Sequence, residues 1–360
     1  MTDPSTTTGL APSSPAMTAL GHVITGAVWP RIDDAVGASR RPFDRPQIIH
    51  PQHHSRFYGS THYGLFFPLL PEPHRYLNVM TLLGQTGSRC FDNDYLIPAG
   101  GRPRQIATLL TSTAAPDVHL YRAYSMPEEC ELDDDLVRFG DDLAITGRWP
   151  DYRVRVTHGE LALDVRVRAT DTVSWFVRNP VYDHLSLLSH YDGTLTWRGS
   201  TSAVTGLCTF EYARTFTAHS VFPGAVSPRW KLPIDFFTYQ IVNLDERTQL
   251  LLTDVRTSGR STFKALHVRT TDGRADIDTD AEFTVTEYAP EPAVGPDGHR
   301  MRLPRRLAWT VGDTLRLDGE IDTPWRYGHG KGYVGGYRFT GEYEGRSVSG
   351  RGYVEYVDCR

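Results

Sequence analysis

VTGLCTFEY, Val204–Tyr212, and VSGRGYVEY, Val348–Tyr356, fit one pattern, V-[ST]-G-x-[CG]-[TY]-[FV]-E-Y. β-branched and aromatic residues dominate both, so each reads as a strand, and their repetition divides the chain into two related halves. Upstream, LTWRG at Leu195–Gly199 is matched with YRFTG at Tyr337–Gly341, which predicts a strand, turn, strand unit whose hairpin is two residues longer in the second copy. The halves also begin alike. Aromatic pairs containing Phe66 and Phe236 precede aliphatic runs at Leu77–Leu83 and Leu250–Leu252, then Thr86-Gly87 and Ser258-Gly259. These matches place one half at 52–222 and the other at 223–360, with Pro223–Pro233 as connector.

Between these landmarks, short β-branched and aromatic runs alternate with turn signals, the spacing of sandwiches and barrels. Tyr152–Val156 and Leu161–Arg168 swap apolar and charged residues at every step, so each has a buried and a wetted face. His158-Gly159 joins them, and Tyr191-Asp192-Gly193 reads as a second turn before Thr194–Arg198. No long helix is legible. Residues 1–18 are mostly Thr, Ser, Pro and Ala and read as a disordered tail; from there to residue 51 the chain reads as an extended lead-in.

The 360 residues carry a net charge of −5 with both signs interspersed, which excludes a nucleic-acid-binding stripe. Cys90, Cys130, Cys208 and Cys359 stand far apart without a CxxC pair, arguing for a reducing, cytoplasmic compartment rather than a disulfide framework or thiolate zinc site. Ala16–Trp29 is broken by polar residues and glycines, so neither a signal peptide nor a membrane span is expected.

A two-half chain whose halves close on G-x-x-x-x-E/D-Y/H strands resembles the superfamily of carotenoid hydratases, AttH-like proteins, kievitone hydratase and fungal Diels-Alderases. The resemblance runs from about Tyr58 to Asp358. The first half of that superfamily closes on G-x-x-W-M-D-H; Gly206–Tyr212 matches it with Glu211 at the acid and Tyr212 at the His position, the Trp also being replaced. The resemblance implies an all-β fold of two consecutive lipocalin-like antiparallel β-barrel halves packed together. A hydrophobic small molecule would bind in or between them, without a cofactor.

The search for chemistry is therefore for polar groups on lumen faces. Glu211 leads, since a carboxyl desolvated inside a barrel gains a raised pKa and can protonate an alkene, with Arg214 near enough to modulate it. Glu355 repeats the position, which favours a structural pairing of both acids with arginine. His190 and Tyr191 precede the strand of Glu211 and are acid–base candidates or solvated turn residues. Arg178–Asp192 reads as a loop that could lid a barrel mouth. Tyr239 and Gln240 follow Phe236 and Phe237, where a tyrosine could donate to a substrate carbonyl or simply pack. Tyr63, Phe66, Trp175, Phe237, Gln240 and Arg214 are the expected substrate contacts.

Other chemistries lack support. Asp92-Asn93-Asp94 lacks the calcium-loop spacing, and His50, His53, His54 and His62 read as solvated loop histidines, so no metal is expected. Phosphate-loop and nucleophile-elbow motifs are missing. Three functions remain: a cofactor-independent cyclase or isomerase acting on a polyene or polyketide-like natural product, a hydratase or dehydratase acting on an alkene of a terpenoid or lipid, and a non-catalytic carrier.

Overall fold

The computed structural model describes residues 12–328 and 330–360. It contains two large antiparallel sheets, one of eleven strands that nearly closes into a barrel and one of ten that forms a half-barrel, beside a two-stranded ribbon of Ala293–Val294 and Arg300–Met301. The first consists of two meanders, Ser60–Ser125 and Cys130–Thr215, joined where the opening strand Ser60–Phe67 pairs with the closing strand Ser200–Thr215. The second repeats this plan: Ile234–Asp278 and Ala281–Asp358 are joined by pairing of Ile234–Asn243 with Arg346–Asp358. Each half thus closes on its own first and last strands, and those last strands carry the repeated nonamer.

Register corrects two alignments made on sequence alone. The turns before the nonamers are Arg198-Gly199 and Glu344-Gly345, with φ of 50°, 76°, 49° and 74°, the two-residue geometry that matches strand twist. The counterpart of LTWRG is therefore GEYEG at Gly341–Gly345, and the longer hairpin belongs to the first copy. At the start of each half, Gly64 stands opposite Glu211 and Tyr239 opposite Glu355. Tyr239 is accordingly the counterpart of Gly64, and Phe66 that of Ile241 rather than of Phe236.

Two other expectations change. Tyr191-Asp192-Gly193 is not a turn but part of the continuous strand Tyr182–Trp197, and Arg178–Asp192 is no lid. It spans the tight turn between Leu161–Asn179 and Tyr182–Trp197, where the Asn179 side chain accepts from the amides of Val181 (3.1 Å) and Tyr182 (2.9 Å).

Residues 1–11 of the predicted tail lie outside the described residues, but the rest of the N-terminal segment is helical where extended chain was expected. Ser14 caps the helix Pro15–Val23, accepting from the Met17 amide at 3.3 Å, and further turns follow at Trp29–Ile32 and Ala35–Ser39. Helices this short are held by docking rather than propensity. The Asp34 amide donates to Arg178 O (3.0 Å), the Phe43 amide to Asp171 O (2.7 Å), and Ala35, Ala38 and Phe43 enter the first core.

Strand periodicity sorts side chains into three cores. Tyr212, Phe210 and Cys208 face the interior of the first half with Tyr63, Leu65, Trp175, Leu185 and Leu187. Tyr356 and Val354 face that of the second with Phe236, Trp309 and Tyr337. The alternate residues of both closing strands point the other way, into an interface whose apolar members come from both halves: Phe66, Tyr76, Met80, Phe176, Tyr239, Ile241, Val334 and Tyr353. Glu211 therefore does not lie inside a barrel, as expected. It lies between the halves.

Candidate functional site

Because both halves present the same face of the same strand, their two repeated acids meet the same buried interface; Glu211 and Glu355 are each 3% exposed. Tyr239 crosses from the second half and donates its hydroxyl to Glu211 Oε1. Tyr353 donates to Glu355 Oε1 at 3.2 Å. Desolvation raises the Glu355 carboxyl well above the usual range, the charge on Glu211 raises it further, and the Tyr353 hydrogen bond only partly opposes them. The Glu355 carboxyl is thereby biased towards its protonated form.

Buried with them is the Arg269 guanidinium, fully enclosed and pushed down to about 10 by desolvation, against which Tyr239 and Glu211 act. It donates to Gln249 Oε1 at 3.1 and 2.6 Å and to Ser186 O at 2.8 Å. A buried guanidinium beside two buried carboxyls offsets negative charge there, the condition under which such groups stay buried. The expected structural pairing of each acid with arginine is replaced by this shared arrangement. His267, on the Arg269 strand, is also enclosed, and burial followed by the Arg269 charge lowers it to about 3.

Two histidines flank Glu211. His62 and His184 both stand opposite Ala213, two residues along the closing strand, one from each neighbouring strand. Their Nε2 atoms lie 3.9 and 4.0 Å from Glu211 Oε2. His62 Nδ1 is 2.7 Å from Thr81 O. A carbonyl only accepts, so Nδ1 is the donor in this contact. His184 Nδ1 meets the Tyr182 hydroxyl at 3.2 Å, while its Nε2 is buried without a hydrogen-bond partner. Desolvation, then His62, lowers His184 to about 3, so it is neutral. His267 Nδ1 and Nε2, Thr209 Oγ1 and Thr253 Oγ1 are likewise buried and unpartnered on this face. Such atoms are normally satisfied, so they mark where a ligand or water would bind.

Of the residues expected from sequence, Glu211, Tyr239 and Phe66 come together; the Phe66 ring lies 5.9 Å from Tyr239 and 5.3 Å from Tyr353. Phe237 sits at the margin, 5.3 Å from Phe91. The others lie elsewhere. His190 is exposed. Tyr191 is in the first core, donating to Leu69 O at 3.1 Å. Tyr63 and Trp175 fill the same core, and Gln240 faces the interior of the second half. Arg214 cannot modulate Glu211, since it lies on the opposite face and binds Asp183 at 2.9 and 2.8 Å. His62, His184, Arg269 and Glu355 were missed as site residues. His62 belongs to a buried strand and not to the loop of His50, His53 and His54. Asp92 and Asp94 take the Lys231 ammonium at 2.5 and 2.7 Å. Surface clefts of about 470 and 260 Å³, around Asp276 and Asp183 respectively, include neither Glu211 nor Glu355 in their linings and are edged by charged side chains.

Solved structures share this architecture. A protein assigned as AttH from Nitrosomonas europaea superposes with a TM-score of 0.60 at 15% identity, covering 88% of this chain and 97% of its own. Kievitone hydratase from Nectria haematococca superposes with a TM-score of 0.54 at 13% identity, covering 89% and 94%. These likenesses establish the two-half lipocalin-like fold that the family resemblance implied. No curated protein matches the sequence. Among the described residues no helix is long and apolar enough to cross a membrane. A family model matches residues 80–360, and the chain belongs to that family, described as "Family of unknown function (DUF6670)".

Proposed function

We propose that this chain is an acid–base enzyme that adds water to, or removes it from, a carbon–carbon double bond of a hydrophobic substrate held between the two halves. One observation carries this reading: two carboxyls from different halves share one buried aromatic interface, and burial pushes the Glu355 carboxyl well above the usual carboxylate range. In the hydration direction, Glu355 gives its proton to one alkene carbon. Glu211, with Tyr239 bonded to its other oxygen, takes a proton from the water that bonds to the other carbon. Reprotonation of Glu355 and deprotonation of Glu211 restore the site, and dehydration runs the same steps backwards. Phe66, Tyr76, Phe176 and Tyr353 supply a ring-lined wall suited to an apolar substrate and to developing positive charge. The fold shared with a hydratase is consistent with this, though fold alone does not select a reaction.

The cyclisation reading rests on that same aromatic wall, which could hold a polyene in a reactive conformation. It needs no proton donor, so it leaves the burial of two carboxyls, two histidines and an arginine without a purpose. A panel of terpenoid, prenylated phenolic and polyene substrates incubated in oxygen-18 water separates the readings. Labelled oxygen in the product supports hydration; an isomer of unchanged mass supports cyclisation; saturable binding without turnover supports the carrier.

A further inference from the structure

We propose that His62, His184 and Glu211 form a binding site for one divalent transition-metal ion of the zinc class, in which two imidazole Nε2 atoms and one carboxylate oxygen are the protein ligands. The three ligand atoms lie within 4.8 Å of one another. At 3.9 and 4.0 Å the histidine–carboxylate separations exceed hydrogen-bond range, so the groups converge without bonding to each other. Zinc bonds of about 2.0–2.1 Å at tetrahedral angles put ligand atoms about 3.4 Å apart, so the histidine–carboxylate pairs must close by about half an ångström and the widest pair by up to about 1.4 Å.

The surroundings match what metal-binding histidines require. The Thr81 carbonyl accepts from His62 Nδ1 and so aims Nε2 at the site, and the Tyr182 hydroxyl, able to accept as well as donate, lies 3.2 Å from Nδ1 of His184. His184 Nε2 is a buried nitrogen without a hydrogen-bond partner, which a metal would satisfy. Glu211 offers Oε2 to the histidines while Oε1 accepts from Tyr239, so coordination leaves the tyrosine bond intact. The side chains of His62 and His184 are 10% and 19% exposed, giving an ion a route from solvent. Two histidines and one carboxylate leave positions for water, as in catalytic rather than structural zinc sites. This inference goes beyond the proposed hydration, whose proton donor is Glu355.

The test is cobalt titration of the full chain after stripping with a chelator. The expected result is one Co²⁺ bound per chain, with visible absorption of a four- or five-coordinate ion, displaced by Zn²⁺. His184→Ala and His62→Ala should each weaken binding at least 100-fold, while His190→Ala and His53→Ala leave it unchanged. Absence of saturable binding, or binding that survives both site substitutions, overturns the site. Should either variant fail to fold, wild-type crystals soaked in Co²⁺ decide, since an anomalous peak beside Glu211 Oε2 is required. Hydration by stripped protein is measured in parallel, so loss of the metal proposal and loss of the hydration proposal are separate results.

Discussion

Glu211 and Glu355 occupy the same position of the same strand in two halves of one plan, yet almost every neighbour differs. Opposite Glu211 stand Gly64 and Ser186; opposite Glu355 stand Tyr239 and Val334. Two residues further along, His62 and His184 stand on the first side, and the counterpart of His62 on the second is Phe237. Repetition explains why there are two buried acids, and divergence explains why they differ. The first acid meets two histidines and the Tyr239 hydroxyl beside a guanidinium; the second accepts from Tyr353 in an enclosed setting that pushes its carboxyl up. Gly64 is part of this division, because a Cβ there would come within 2.8 Å of the Phe66 ring and 2.9 Å of His62 Nε2.

Replacing each acid by its amide breaks the comparison most sharply. Glu355→Gln keeps the shape but removes the transferable proton, so turnover of the alkene identified by the substrate panel should fall about 100- to 10,000-fold with little change in thermal midpoint. Equal, small effects of Glu355→Gln and Glu211→Gln on rate would defeat the assignment of distinct roles.

The two amides should also part in stability. Glu211→Gln leaves Arg269 without its compensating charge and should cost about 3 kcal/mol in urea unfolding, whereas Glu355→Gln, an amide for an acid biased towards its protonated form, should be nearly neutral. The double variant Glu211→Gln/Arg269→Met should recover part of the loss, because it removes both charges.

Acid should act on the histidine groups selectively. His184 and His267 are held near 3 in the folded chain against 6.5 unfolded, so their contribution is complete above pH 6.5 and is lost progressively as pH falls towards 3. Urea midpoints measured between pH 7.5 and pH 4 should decline, and His184→Gln and His267→Gln should each flatten the slope. Glu355 has the opposite sign. Its raised folded pKa makes its contribution largest below pH 4.5, and that contribution falls as pH rises.

Smaller effects sharpen the geometry. Tyr239→Phe removes the hydroxyl that reaches Glu211 and should cost about 1–2 kcal/mol while lowering turnover. Arg214→Ala, on the far face of the strand, should leave turnover within about twofold. Asp183 keeps Arg45 at 2.9 Å, so stability should drop by only about 1 kcal/mol.

Much of this was legible in the residues, and the limits have a common cause. The nonamers identified two related β halves and named both acids, because pattern and turn chemistry are local. The helices at 15–39 escaped notice because their stability comes from docking onto Arg178, Asp171 and the first core, not from their own composition. His62 was read with the loop histidines because Ser60–Phe67 is buried on both faces, so it lacks the polar–apolar alternation that marks a half-exposed strand.

The sequence by itself determined the strand class, the duplication and the presence of one acid per half. Only the tertiary structure decided which way those acids point. A strand's period of two assigns alternate residues to opposite faces, but where both faces are apolar it does not say which is the barrel interior and which meets a second sheet. Packing of the halves resolved that choice: Tyr212 and Tyr356 went inward, and Glu211, Glu355, Tyr239 and the histidines were brought to one interface.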